Sequence, residues 1–152
     1  MKILFLSTKN IVRSIIAESV MRKYEGLGIK AMSGGSHAEE DIHPVAFRVL
    51  KNVRYSSTNL VSKSWDIFET WEPDVVVTLC NKLLKQQCPA YVGKAIHVHW
   101  GIDDPEKQAG NMEENFTRTF VTLDDRIKAL IAVKFHEMDK TELRAELKRV
   151  AQ

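Results

Sequence analysis

Two kinds of hydrophobic pattern alternate along the chain. The first is a short, continuous run of apolar and β-branched residues, which is typical of a buried strand. Such runs occur at residues 2–6, 29–32, 74–79 and 95–100. The run at 74–79, DVVVTL, is the clearest of them, and the glycine-containing stretch at 33–36 is expected to end the second strand.

The second pattern places apolar residues at helical spacing with polar residues between them. It predicts helical segments at 14–24, 44–52, 65–70, 111–135 and 139–151. Strands that alternate with helices indicate an α/β protein. We therefore expect a single domain over residues 1–152, with an open, mostly parallel sheet flanked by helices.

Composition and charge change this picture little. The chain is 44% hydrophobic and 28% charged, as in ordinary globular proteins, and its net charge of +2 gives no electrostatic reason to expect nucleic acid or a membrane as partner. No apolar run approaches the roughly 20 residues of a membrane span, and the N-terminus lacks the pattern of a signal peptide. The cytoplasm is the expected location, where two cysteines are more often thiols or redox groups than a permanent disulfide.

The stretch after the first predicted strand carries candidate chemistry. Residues 7–14, STKNIVRS, lie between a strand and a helix, which is where open α/β sheets bind ligands. Backbone N–H groups of such a loop can surround an anion together with the N-terminus of the next helix. The planar guanidinium of Arg13 matches two oxygens of a tetrahedral oxyanion. The alternative is a plain strand–helix turn with an exposed arginine.

Neighbouring residues favour an oxyanion loop. With cysteine in place of Ser7, the loop would have the pattern C-x5-R-S, and residues 10–18 follow the pattern N-x-x-R-S-x-x-A-E. This resembles the phosphate loop of the low-molecular-weight protein tyrosine phosphatase superfamily, in which a cysteine thiolate attacks the bound anion. A helix N-terminus, an arginine and loop amides all lower a cysteine pKa, so a thiolate suits this position.

Three further segments narrow the resemblance. They are KSWDIF at 63–68, the stretch from VVTLCN at 76–81 to the Cys-Pro pair at 88–89, and HWGIDDP at 99–105. They occur in the order found in bacterial thiol-dependent, thioredoxin-type arsenate reductases of this superfamily. The similarity extends from Lys2 to Pro105 and is poor over residues 37–60.

The resemblance implies a role for each residue of a catalytic set: Ser7, Arg13, Asp104, Cys80 and Cys88. It implies that the loop residues bind arsenate or phosphate: Ser7, Thr8, Lys9, Asn10, Ile11, Val12, Arg13 and Ser14. Asp104 is the implied general acid, which protonates the departing oxygen. Cys80 is implied to attack the nucleophile–arsenic adduct, and Cys88 then attacks Cys80. The resulting disulfide is implied to be reduced by thioredoxin or by a low-molecular-weight thiol.

Each of these residues also has a plain structural interpretation. Asp104 before a proline suits a turn, and Cys80 suits a small core position. His97 and His99 project from one face of a predicted strand, and with the two cysteines they make a conceivable zinc set. The spacing is not that of a compact zinc module, and the resemblance explains both cysteines and His99 without metal. We therefore expect no metal site and no bound cofactor.

A second implied group supports the loop. In similar reductases, residues at the positions of Asn10, Glu18, Ser33 and Asp66 hold the loop, sometimes around a monovalent cation. The helical pattern of residues 14–24 alone instead turns Glu18 toward solvent.

Ser7 is the position at which the chain departs from this chemistry. A serine hydroxyl is barely ionised at neutral pH, and it lacks the sulfur that a disulfide with Cys80 requires. We expect the Ser7 form to bind an oxyanion with little or no turnover. An engineered Cys→Ser change and natural divergence are both open as origins. Two other functions are also open: a phosphatase acting on phosphotyrosine, and a non-catalytic module that binds an anion or a partner.

Overall fold

A four-stranded parallel sheet forms the centre of the protein. The computed structural model describes residues 1–152. The strands are β1 (Lys2–Ser7), β2 (Lys30–Gly35), β3 (Val75–Thr78) and β4 (Ile96–His99), in the order β2-β1-β3-β4. The helices are α1 (Arg13–Arg22), α2 (Pro44–Asn52), α3 (Ala90–Lys94), α4 (Met112–Ala132) and α5 (Lys140–Arg149). The predicted α/β class with a parallel sheet is confirmed.

Strand β1 lies in the middle of the sheet and is buried on both faces. Its alternating side chains enter two different clusters. Ile3 and Phe5 pack into the larger cluster, to which α1, α2, α4 and α5 contribute, and Leu4 and Leu6 pack into a smaller one. A continuous apolar run is therefore required here, because neither face of the strand meets water.

The connections place the end of β1 at a special point of the sheet. The chain leaves β1 to form β2 on one side and continues to β3 on the other side, with parallel pairing throughout. The strand order thus reverses at β1, and loops at such a switch point leave a crevice between them. The loop that follows β1 lies in this crevice.

One predicted boundary is wrong, and two short elements were not predicted. β2 does not end before residues 33–36 but continues to Gly35, whose N–H donates to the carbonyl of Lys63 at 2.9 Å. A Cβ at Gly35 would lie 2.7 Å from the carbonyl oxygen of Thr8, so glycine here serves close packing rather than a strand break. The segment between the two cysteines also forms a short 3₁₀ helix at Asn81–Lys85, and α3 follows.

The 3₁₀ helix and α3 have only five residues each, which is too short for a periodic pattern to reveal them. The other predicted elements match observed ones to within a few residues. None of the helices has the length and apolar character needed to cross a lipid bilayer.

Candidate functional site

A cavity of about 250 Å³ lies at the carboxyl edge of the sheet. Its walls are loop residues 7–13, residues 80–82 after β3, and residues 102–104, 106 and 107 after β4. Four residues of the predicted catalytic set therefore line one cavity: Ser7, Arg13, Cys80 and Asp104. Cys88 is not among the lining residues, and Asp103 lines the cavity beside Asp104.

The hydroxyl of Ser7 is buried at the start of the loop. Its Oγ lies 2.6 Å from the Oγ of Ser14 and accepts a hydrogen bond from the Asn10 N–H at 3.2 Å. These polar groups converge on the atom that a nucleophile would use. No carboxylate or imidazole contacts the hydroxyl, so no base is placed to take its proton.

Asn10 fixes the shape of the loop. Its φ of 54° lies in the left-handed region, which asparagine tolerates better than most residues. Its amide nitrogen donates to Ser14 at 2.7 Å and to Ser33 at 3.0 Å, and its side-chain oxygen accepts from the Lys63 N–H at 2.9 Å. The fully buried Asn10 thus ties the loop to the helix, to β2 and to the segment after residue 60.

The remaining loop side chains point elsewhere. Ile11 and Val12 are buried in the larger core cluster, so they can offer an anion only their backbone groups. Lys9 lies at the surface, with its ammonium 3.5 Å from a carboxylate oxygen of Glu39. The positive charge of Lys9 is therefore already paired.

Arg13 links the loop to the segment that carries the proposed acid. One guanidinium nitrogen donates to the carbonyl of Ile102 at 2.9 Å, and another lies 3.8 Å from Asp104. The second carboxylate oxygen of Asp104 accepts from the Glu106 N–H at 3.0 Å, which closes a small turn. Asp104 is thus a turn residue, as its position before a proline suggested, and it also lines the cavity. The neighbouring Asp103 is exposed to solvent.

The two cysteines differ in their surroundings. The sulfur of Cys80 lies 2.9 Å from the hydroxyl oxygen of Thr8, a loop residue, and Cys80 is almost fully buried. Cys88 is half-buried, and this burial raises the pKa of its thiol. Both are free thiols. The structure brings Cys80, but not Cys88, to the loop.

The two histidines form a hydrogen-bonded chain behind Cys80. The hydroxyl of Thr78 lies 3.1 Å from Nε2 of His97 and 2.8 Å from Nδ1 of His99. Nε2 of His99 donates to the side-chain oxygen of Asn81 at 2.9 Å. Burial lowers the pKa of both histidines. This chain tethers the start of the segment between the cysteines to β4.

Glu18 is fully buried, contrary to the expectation from the helical pattern. The hydroxyl of Ser33 donates to its carboxylate at 2.7 Å, and the ammonium of Lys63 lies 3.1 Å from the same oxygen. Arg22 pairs with the other oxygen. A carboxylate is tolerated in this core position because these donors compensate its lost hydration.

These residues do not fit a bound monovalent cation. The ammonium of Lys63 contacts Glu18 and also lies 3.5 Å from Ser33, so a positive charge already lies against two of the implied ligands. Asp66, the fourth implied member, is exposed. Sequence reasoning missed this role of Lys63, although the residue stands at the start of the KSWDIF motif.

Comparisons with known proteins identify the family of the chain. Residues 2–148 match the sequence model of the family described as low molecular weight phosphotyrosine protein phosphatase. The arsenate reductase of Halalkalibacterium halodurans is 35% identical over 129 residues, which cover 83% of this chain and 91% of that protein.

Solved structures show the same fold. A structure described as an arsenate reductase in the oxidized state is 26% identical, with a TM-score of 0.72 over 87% of this chain and 97% of that one. The low molecular weight protein tyrosine phosphatase from T. tengcongensis is 25% identical, with a TM-score of 0.70 over 88% of this chain and 99% of that one. On the family match and the identity to these relatives, the chain belongs to the low molecular weight phosphotyrosine protein phosphatase family.

Proposed function

We propose that this protein is an arsenate reductase of the phosphatase family that binds a tetrahedral oxyanion in the 7–14 loop. The observation that carries the proposal is the 2.9 Å contact between the sulfur of Cys80 and the hydroxyl of Thr8. A thiol beside the loop has no task in phosphate ester hydrolysis, whereas it has one in reduction. The identity of 35% to a protein named arsenate reductase supports the same choice.

The oxyanion is held by the loop N–H groups, by the N-terminus of α1 and by the guanidinium of Arg13. Arg13 already donates to Ile102 on the opposite wall, so its planar group stands at the side of the cavity. Arsenate and phosphate have the same charge and nearly the same shape. The loop therefore binds both, and only arsenate is reduced.

The full reaction requires a thiolate at position 7. That sulfur attacks the As(V) centre, and one oxygen leaves as water after Asp104 has protonated it. Cys80 then attacks the sulfur at position 7. The sulfur–arsenic bond breaks with its electron pair on arsenic, and arsenite leaves as a disulfide forms. Two thiols are oxidised, and arsenic gains two electrons.

Cys88 completes the cycle by attacking Cys80, which releases the thiolate at position 7 and forms the Cys80–Cys88 disulfide. The two sulfurs must come within about 2 Å of each other. Because Cys88 does not line the cavity, the segment between the cysteines has to rearrange, and the hydrogen bond from His99 to Asn81 is a contact that it has to release. A thioredoxin-like dithiol or a low-molecular-weight thiol in the cytoplasm then reduces the disulfide.

The Ser7 form binds the oxyanion without turning it over. The hydroxyl occupies the nucleophile position within the loop, but no base contacts it and it carries no sulfur for the first disulfide. Ser7 therefore interrupts a pathway of which Arg13, Cys80 and Asp104, but not Cys88, line the cavity.

The test is to restore the sulfur. Ser7→Cys with arsenate and a thioredoxin system should form arsenite over many turnovers. The additional change Cys80→Ser should abolish this formation, and Cys88→Ser should limit it to about one arsenite per protein molecule, because arsenite leaves before Cys88 acts. Failure of Ser7→Cys to form arsenite, in a variant that still binds arsenate, would contradict the proposal. Arsenite formation by the Ser7 form itself, dependent on both cysteines, would contradict the requirement for a thiolate at position 7.

A phosphatase is the second candidate, and the pairing of Arg13 with Asp104 in the cavity is the observation that favours it. A phosphatase requires the loop, the arginine and the acid, but neither of the other cysteines. Hydrolysis of an aryl phosphate by Ser7→Cys that persists after both Cys80→Ser and Cys88→Ser would favour this function. A Ser7→Cys variant that neither reduces nor hydrolyses would favour a non-catalytic binding module.

A further inference from the structure

A second, larger cavity lies at the C-terminal end of α1. Its volume is about 820 Å³, within the range of about 300–1,000 Å³ of small-molecule pockets. Its walls come from the last part of α1, from the start of β2 and from residues 53–59. It shares no lining residue with the oxyanion cavity. The reaction proposed above makes no use of it.

The walls of this cavity carry an excess of positive charge. Four basic residues line it, namely Arg22, Lys23, Lys30 and Arg54, against the single carboxylate of Glu25. The guanidinium of Arg22 is committed to Glu18, and the ammonium of Lys23 lies 5.0 Å from the ring centre of Tyr55. This balance favours an anionic ligand.

Lys30 and Arg54 are the two uncommitted charges. Both are exposed, and neither lies within 4 Å of a carboxylate oxygen. Arg54 is held in the left-handed region, with φ of 61°, by a tight turn after α2. Two cations without partners at one opening can engage the phosphate or carboxylate of a ligand at little cost.

Aromatic side chains form part of the same walls. Tyr55 is fixed, because its hydroxyl donates to Asp124 at 2.6 Å and its ring meets Phe120 edge to face. The ring of Trp71 packs in the same way against Phe68, with 5.6 Å between the ring centres. Ordered aromatic walls suit a planar ring and lose little entropy when one binds.

The backbone of the edge strand adds hydrogen-bonding groups. Lys30 donates its N–H to Met1 on the β1 side, whereas Gly35 donates to Lys63 on the outer side. Peptide groups alternate in direction along a strand, so those of Ala31 face outward as those of Gly35 do. Ala31 lines the cavity at a point where β2 has no further neighbour. Its N–H and C=O form a donor and acceptor pair that matches the edge of a heteroaromatic base.

We propose that this cavity binds an anionic heteroaromatic molecule of the nucleoside monophosphate class. The base packs against the wall that carries the aromatic side chains, with its polar edge toward Ala31, and the phosphate meets Lys30 and Arg54. The inference does not rest on the proposed reductase function, because the cavity shares no residue with the oxyanion site.

The test uses AMP as probe and adenosine as its uncharged counterpart, with the full chain carrying Arg13→Ala so that the oxyanion loop no longer binds the phosphate. Amide and indole NMR signals should shift at Ala31, Met32 and Trp71 on addition of AMP. Adenosine should bind at least about tenfold more weakly, since it lacks the phosphate. Equal affinity for the two compounds, or no shift at about 10 mM AMP, overturns the proposal.

A charge-removing variant tests the assignment to these walls. Lys30→Gln with Arg54→Gln should weaken AMP binding about tenfold or more. Both side chains are exposed, so the fold should be unaffected, which circular dichroism checks. The matched control is Lys94→Gln with Arg144→Gln, two exposed cations outside the cavity, and it should leave affinity unchanged. Equal loss in both double variants, or shifts confined to residues 7–14, contradicts the site.

Discussion

The ammonium of Lys63 lies 3.1 Å from a carboxylate oxygen of Glu18 that is fully buried beneath the oxyanion loop. Burial lowers the pKa of Lys63, although the neighbouring carboxylate opposes the shift. The same oxygen of Glu18 accepts from Ser33, which in turn contacts Asn10 of the loop. The ion pair is thus connected to the loop through two hydrogen bonds.

Lys63→Met should destabilise the protein by about 3 kcal/mol, because it leaves a buried carboxylate with only Arg22 as counter-charge. Urea unfolding measures this. Glu18→Gln combined with Lys63→Met should cost clearly less than the sum of the single changes, because the buried carboxylate that Lys63 compensates is no longer charged. Additive losses would show that the two groups do not depend on each other.

The ion pair of Lys63 and Glu18 also predicts that potassium ions do not change the thermal stability of the protein. At equal ionic strength, the melting temperature should be the same in potassium, sodium and tetramethylammonium chloride, because the ammonium of Lys63 fills the place of a cation. Lys63→Ala should acquire stabilisation by potassium over tetramethylammonium, since it opens a site beside Glu18. Potassium-specific stabilisation of the unchanged protein would contradict this.

Arg13→Ala should abolish binding of sulfate or phosphate, as measured by calorimetry at millimolar anion. Arg13→Lys should recover it only in part, because an ammonium cannot form two parallel hydrogen bonds. Lys9→Gln is the matched control and should change affinity by less than about threefold, because Lys9 is paired with Glu39. Similar losses in Lys9→Gln and Arg13→Ala would mean that the loop responds to net charge alone.

Stability should fall as the pH decreases below about 6.5. Burial lowers the pKa of His97 and His99 from their usual value of 6.5, so in this window the unfolded chain takes up protons that the folded chain does not. The contribution is complete above pH 6.5 and is lost as the pH falls toward the lowered values.

Replacing both histidines by glutamine should flatten the pH dependence between about 5 and 7, measured by urea unfolding. His37→Gln, at an exposed position, is the control and should leave the slope unchanged. If the unfolding free energy changed equally with pH in the unchanged protein, the double variant and His37→Gln, then His97 and His99 would not be the cause of the pH dependence.

The sheet was predictable because its strands carry continuous apolar runs, as in residues 74–79, and β3 was observed at Val75–Thr78. The position of the loop followed from the same pattern, since a loop between a buried strand and a helix lies at the carboxyl edge of a parallel sheet. The meeting of Arg13 and Asp104 in one cavity agrees with the implied site, while their chemical roles stay predictions.

The features that the sequence did not indicate depend on contacts between residues far apart in the chain. Periodicity assigned Glu18 to solvent, but its burial depends on Lys63, which is 45 positions away in the chain. The glycines of β2 were interpreted as a break, because the close approach of Thr8 to Gly35 is invisible in a one-dimensional pattern. The contact of Thr8 with Cys80 spans 72 positions and has no local signal.

The tight packing of Gly35 against the loop also bears on protein engineering. A Cβ at this position would stand 2.7 Å from the Thr8 carbonyl and 3.0 Å from the Cβ of Asn10. Residues 7–14 therefore do not constitute a portable anion receptor. A loop grafted onto another scaffold would have to bring along a glycine at the end of the adjacent strand, 28 positions after its own first residue.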